Sequence, residues 1–173
     1  MRLAVAGQAL LGAWFLDQHD VPALSPTWRA QPDSALLQRA ATQLRQWFLG
    51  QRKEFDVRLQ PRGTEFQQDV WQALQTLAFG ATTSYGELAQ SIGRSNAVRA
   101  VAGAIGRNPI SIFIPCHRVV GRDTSLTGFG GGLARKQALL AHEGHRYTGR
   151  AARAKRVCAG QGELFPDSRP AAL

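Results

Sequence analysis

The residues best suited to chemistry fall in one stretch, Asn108-Pro-Ile-Ser-Ile-Phe-Ile-Pro-Cys-His-Arg-Val-Val120. Cys116 is followed at once by His117 and Arg118. The thiolate, not the thiol, is the nucleophile, and cationic or hydrogen-bonding neighbours favour it. Glu143 can hold the imidazole in one tautomer, which makes a Cys/His/Glu constellation with roles like those of a hydrolase triad. A buried structural cysteine beside a surface histidine would read the same way. Adjacent side chains on a strand point to opposite faces, so a productive Cys116–His117 pair needs a turn at that point. Pro115 stiffens the approach, and the Asn108 side chain can cap the turn.

A second segment has the shape of a helix-turn-helix. Ser84 and Glu87 form a capping box opening a short helix that stops at Gly93, and a further helix runs from Ala97 to Ile105. An ordinary helical hairpin has the same outline. That further helix reads Ala97-Val-Arg-Ala-Val-Ala-Gly-Ala104, small side chains with one long cation, Arg99. A major-groove reader needs several base-edge donors. A smooth helix with one arginine suits the minor groove, where reading is nearly blind to sequence, or a close helix crossing within protein.

The elements that position these residues follow from periodicity and caps. Residues 1–15 resemble a signal peptide, but Gly7, Gln8 and Gly12 interrupt the run, Asp17 follows, and no small-residue cleavage site closes it. Two strands joined near Gly7-Gln8 are expected instead, in a cytoplasmic protein. Residues 18–33 are a polar, proline-rich connection. Asp33 or Ser34 caps a helix to Phe48 with Leu37, Ala40, Ala41 and Leu44 on its apolar stripe. Residues 55–59 alternate like a strand, and Pro61-Arg-Gly63 marks a boundary. Thr64 with Gln67 is another capping box, opening a helix with Phe66, Val70, Leu74 and Leu77 on one face. Ile110, Ile112 and Ile114 suggest a short buried extended segment, residues 128–132 a glycine-rich loop, and residues 133–142 a last helix ended by Gly144.

The chain has 173 residues, enough for one domain or two small ones sharing a core, and its 44% hydrophobic content is that of a globular protein. No apolar run approaches the length that spans a bilayer. Two cysteines, Cys116 and Cys158, exclude a disulfide scaffold and a multi-thiolate zinc site. The net charge of +9 points to a polyanion partner. Residues 1–60 carry 7 basic and 5 acidic side chains, residues 61–149 carry 9 and 5, and residues 150–173 carry 5 and 2. The last segment lacks apolar period and is expected to be a disordered basic tail.

Pro115-Cys-His-Arg118, within Ile114-Pro-Cys-His-Arg-Val-Val120, resembles the active-site signature of the O6-alkylguanine-DNA alkyltransferases, the methylated-DNA–protein-cysteine methyltransferases. Gly63-Thr-Glu-Phe-Gln-Gln-Asp-Val-Trp71, Thr83-Ser-Tyr-Gly-Glu-Leu-Ala89, Arg99-Ala-Val-Ala-Gly-Ala104, Asn108-Pro109, Gly128-Phe-Gly-Gly-Gly-Leu133 and Leu139-Leu-Ala-His-Glu-Gly144 extend the likeness in the family's order and spacing. The match covers roughly residues 60–147, and residues 1–60 match only loosely. The resemblance implies an α/β fold: a small N-terminal domain of antiparallel sheet plus helix (1–60), then a mostly helical, winged-helix-like DNA-binding and catalytic domain (61–149) containing the helix-turn-helix.

The resemblance also implies roles. Cys116 accepts the alkyl group of O6-alkylguanine, with O4-alkylthymine as a further substrate, once per protein molecule and irreversibly. His117, linked through a water to Glu143, takes the thiol proton. Tyr85 supplies a proton or hydrogen bond to the guanine ring so that neutral guanine leaves. Asn108 braces the active-site turn. The target base is flipped out of the duplex. Arg99 fills the gap, Ala97, Val98 and Ala100 lie along the minor groove, and Ser84 and Arg118 are further DNA contacts. Gly128, Phe129, Gly130 and Gly131 wall the base pocket with Tyr85, and Gly130, where many relatives carry serine, leaves room for larger alkyl groups. No cofactor or metal is implied, and the protein acts as a monomer on double-stranded DNA.

The chain departs from the family in three ways. The usual strand and Ser-Pro-x-Gly turn ahead of residues 3–5 is lacking, as in a trimmed domain or a start assigned late. The zinc sites of some relatives cannot be built. The basic tail is long, and its Gln161-Gly-Glu-Leu-Phe165 resembles the bacterial sliding-clamp-binding pentapeptide, with Gln161, Leu164 and Phe165 as docking residues. Two other classes stay open: a non-catalytic lesion-binding relative, which would lack the reactive cysteine, and an unrelated Cys/His hydrolase, which would not need the Arg99 helix.

Overall fold

In the computed structural model, residues 1–18, 21–148 and 155–156 are described. Gly7, at φ +54°, lets the chain reverse between β1 (Arg2–Ala6) and β2 (Ala9–Trp14), an antiparallel pair with a register shift at Ala4/Val5. Helix α1 (Ala35–Phe48) starts where the Ser34 hydroxyl accepts from the Leu37 amide, and it buries Ala40, Leu44 and Trp47 against the hairpin side of the core. Residues 55–59, expected as a strand, make only one bridge, Leu59 to Leu10. Their alternation reflects burial, with Val57 inside, rather than ladder pairing.

Helix α2 (Glu65–Gln75) opens on the reciprocal Thr64–Gln67 capping box and buries Val70, Trp71 and Leu74. β3 (Thr83–Ser84) leads into α3 (Tyr85–Ser91), whose capping box joins Ser84 and Glu87. A tight 3-10 turn, Ser95–Ala97, then opens α4 (Val98–Gly106). The Trp71 indole N–H donates to the Ala104 carbonyl at 2.9 Å, pinning α2 to α4.

Ile110, Ile112 and Ile114 are buried as expected, but the segment is not extended. Ile112 takes φ +75°, Ser111 bridges Ile114, and the Ile114 amide donates back to the Ile110 carbonyl at 2.9 Å. A β-branched residue in that region is strained. Burial of its side chain and the closing hydrogen bonds over-determine the turn, which aims the next residues inward. Cys116–Arg118 form a 3-10 turn, followed by β4 (Val119–Val120), which pairs in parallel with β3. Helix α5 (Leu133–His142) follows the glycine-rich loop and ends at Gly144, φ +93°.

One apolar core runs from the hairpin through α1, α2, α4 and the 110–119 segment. The Ala13 amide donates to the Pro109 carbonyl and the Ser111 amide to the Ala13 carbonyl, both at 2.9 Å, so β2 is stitched to the segment that leads to Cys116. Within the stretch expected to be a structureless tail, β6 (Lys155–Arg156) pairs antiparallel with β5 (Tyr147–Thr148), and Arg156 reaches Thr82 and His145. The tail is therefore anchored at Lys155–Arg156. Cys158 and the 161–165 pentapeptide lie outside the described residues. No helix among the described residues is long and apolar enough to cross a membrane.

Candidate active site

The strained Ile112 turn, Pro115 and the 3-10 turn deliver Cys116 and His117 to one buried place. Asn108 ties the turn together. Its amide nitrogen donates to the Ile114 carbonyl at 2.8 Å and to the Cys116 Sγ at 3.1 Å, while its carbonyl oxygen accepts from the Ile110 amide at 3.0 Å. A donor aimed at sulfur favours the anionic, nucleophilic form.

His117 is fully buried, and its Nε2 meets Glu143 Oε1 directly at 3.0 Å, not through a water. The carboxylate fixes the tautomer with the proton on Nε2, which leaves the Nδ1 lone pair as the basic position. Among the described residues Nδ1 has no hydrogen-bond partner. Burial pulls the imidazole below its ordinary range against the opposing pull of Glu143, so the ring is neutral. The Trp47 ring, from α1, stands edge to face with it at 6.2 Å.

Arg118 was expected at the DNA surface and is instead buried. Its Nε and Nη2 donate to Glu143 at 2.9 and 2.7 Å, and its Nη1 donates to the Leu77 carbonyl at 2.5 Å. A guanidinium taken out of water needs such a partner. The Gly80 amide also donates to Glu143, at 3.2 Å. Burial alone would push this carboxyl up, but the hydrogen bonds from His117 and Arg118 and the Arg118 charge outweigh it and hold Glu143 at about 2.

Tyr85 opens α3 and is half-buried, its hydroxyl beside the Thr127 hydroxyl at 3.3 Å and the Thr127 carbonyl at 3.4 Å. Burial raises its pKa, so it is a protonated donor at neutral pH. Ser84 spends its hydroxyl on capping α3. On α4, Arg99 and Ala100 are exposed and Val98 is half-buried, as is Ala97 in the turn just before it. A groove of about 800 Å³ brings Tyr85, Val98 and Arg99 together with Gly128, Phe129 and Gly130. Gly131 lies behind that wall, where a Cβ would stand 2.7 Å from Phe129 and 2.8 Å from Phe15.

Sequence reasoning missed Lys136. It is fully buried on α5, and its ammonium donates to the carbonyls of Val119 at 2.5 Å and Thr127 at 2.6 Å. Burial lowers its pKa to about 8, with the Cys116 charge opposing. It ties β4, just after the reactive turn, to the start of the pocket wall. The signal was present: Lys136 shares a helical stripe with Leu133, Leu139 and Leu140. Among the described residues no group of three or more acidic, His or Cys side chains could hold a metal.

Comparison with known proteins agrees with this geometry. A family model described as the DNA-binding domain of 6-O-methylguanine DNA methyltransferase matches residues 65–145. The methylated-DNA–protein-cysteine methyltransferase of Mycobacterium tuberculosis is 47% identical over 146 residues, 84% of this chain and 87% of its own length. The chain belongs to this methyltransferase family. The methyltransferase of Haemophilus influenzae is 48% identical over 117 residues, 67% of this chain and 65% of its own. The crystal structure of Mycobacterium tuberculosis OGT in complex with DNA matches with a TM-score of 0.75 and 47% identity, covering 82% of this chain and 84% of that one. That match covers more of the chain than residues 65–145, which the family model takes in.

Proposed function

We propose that this protein repairs DNA by direct reversal, moving the alkyl group of O6-alkylguanine in duplex DNA irreversibly onto its own Cys116. The observation that carries the reading is the buried Cys116, hydrogen-bonded by Asn108 and followed by a neutral His117 held by Glu143, beside a groove that also presents Tyr85 and Arg99.

His117 Nδ1 takes the thiol proton, and Glu143 balances the resulting imidazolium. The sulfur attacks the alkyl carbon in line. The S–C bond forms, the C–O6 bond breaks, and its electron pair passes to guanine. The Tyr85 hydroxyl offers a proton to the guanine ring, so the leaving group departs neutral. The thioether has no easy route back, so each molecule acts once. Arg99 occupies the gap left by the flipped base, with Ala97, Val98 and Ala100 along the minor groove. Base and phosphate contacts here are sequence-independent. The wall at 128–131 bounds the base, and the reach to O4-alkylthymine and to larger alkyl groups belongs to the same proposal. The same proposal has the protein act as a monomer in the cytoplasm, and a clamp contact is supported by the resemblance of Gln161-Gly-Glu-Leu-Phe165 to the clamp-binding pentapeptide.

The test is mass spectrometry of the intact protein after mixing with a duplex carrying O6-methylguanine. A single gain of one methylene in mass, mapped to Cys116 and absent in Cys116→Ala, is expected. Binding of the duplex without a mass change would leave only a lesion-binding protein. Repeated turnover of an ester or amide would make it a hydrolase.

A further inference from the structure

The cavity against Cys116 has about 10 Å³ of free volume, around the threshold for one water molecule. Gly128, Phe129 and Gly130 wall one side, and Gln18 reaches it from the N-terminal region. A guanine with its alkyl group enters only if this wall yields, so whatever supports the wall decides how far it yields.

The support comes from the turn after β2. The rings of Phe15 and Phe129 meet edge to face at 6.2 Å. Arg135 lies over the Phe15 ring at 4.9 Å, pairs with Asp17 at 2.7 Å and donates to the Gly131 carbonyl at 2.9 Å. The turn is closed on itself, with the Phe15 amide donating to the Gln18 side chain at 3.0 Å and the Gln18 amide to the Phe15 carbonyl at 3.3 Å. The strap thus touches the pocket wall at Phe129 and, through Arg135, the Gly131 backbone behind it. It contains none of the groups that carry out alkyl transfer.

We propose that residues 15–18 are a specificity-determining strap: they limit how far the 128–131 wall opens and so which alkyl groups reach Cys116. The inference rests on the alkyl-transfer reading above. A tighter wall penalises a bulky group more than a methyl group, because overpacking a close-fitted site is costly. A role confined to stability would slow all substrates alike.

The experiment measures Cys116 alkylation rates for the full chain with duplexes carrying O6-methylguanine or O6-benzylguanine. Phe15→Ala should raise the benzyl-to-methyl rate ratio by roughly threefold to tenfold, the range of one edge-to-face aromatic contact. Asp17→Asn should move it the same way by about twofold, as for an exposed ion pair. A ratio unchanged in both variants overturns the strap. If Phe15→Ala does not fold, Phe15→Leu and Asp17→Asn decide on the same criterion. A wild-type protein alkylated by neither duplex fails the alkyl-transfer reading, and the strap with it. A wild type that reacts, with unchanged ratios in the variants, fails the strap alone.

Discussion

Glu143 holds His117 and Arg118 with one carboxylate, and this makes it the most sensitive single residue of the site. Glu143→Gln leaves a buried guanidinium without its counter-charge, which costs about 3–5 kcal/mol. Denaturant unfolding at neutral pH checks this, and alkyl transfer should slow in parallel because the His117 tautomer is released. The pH dependence has a definite sign. Glu143 is held at about 2, below its ordinary 4.5. Its contribution is therefore fully present above pH 4.5 and is lost as pH falls toward 2. The difference in unfolding free energy between wild type and Glu143→Gln should shrink over that window. Lys136 gives a slope of the same sign in a higher window, although here it is burial that penalises the charged form. Its folded value of about 8 lies below the ordinary 10.5, so the unfolded chain binds more protons between them. Stability should rise from pH 8 toward 10 in the wild type, and this slope should vanish in Lys136→Met. Lys136→Met should also slow alkyl transfer, since the Val119 and Thr127 carbonyls lose their shared donor.

At the scale of elements, the two capping boxes and the apolar stripes of α1 and α2 were legible because they depend on neighbours three and four residues away. Residues 55–59 misled because a period of two reports a buried face and not a ladder partner. The 110–114 segment misled for a related reason: apolar alternation is silent about a positive φ at Ile112. Trp71→Phe should cost about 0.5–1.5 kcal/mol in denaturant unfolding by removing one of the two donors to the Ala104 carbonyl, the Arg107 amide remaining. On α4, Arg99→Ala should slow reaction with alkylguanine in duplex DNA on the order of tenfold, since unstacking costs a few kcal/mol. Its rate with free O6-benzylguanine should be unchanged. Equal losses on both substrates would remove Arg99 from base flipping.

Across the whole molecule, the +9 charge alone indicated only a polyanion. Two of the cations counted in residues 61–149, Arg118 and Lys136, are buried and serve the site rather than the surface. Affinity for undamaged duplex DNA should fall steeply with added salt, as for any phosphate-dominated contact, in a titration at increasing ionic strength. The shared core has a sharper consequence. A fragment beginning at Pro61 lacks the Ala13 partners of the 109–111 segment and the Trp47 ring beside His117. It should show no cooperative thermal transition, although it retains every residue assigned a chemical role.

From the sequence alone came the nucleophile, its histidine, the need for a turn between them, Asn108 as the brace, and the family. Each depends on residue type and short spacing, which the chain carries in one dimension. Tertiary structure alone decided that Arg118 faces inward to Glu143, that His117 and Glu143 touch directly, and that Phe15 and Asp17 back the pocket wall. These contacts join residues 25 to 118 positions apart. Burial of a charge becomes tolerable only when the folded chain brings its partner to it, and no local pattern records where that partner will be.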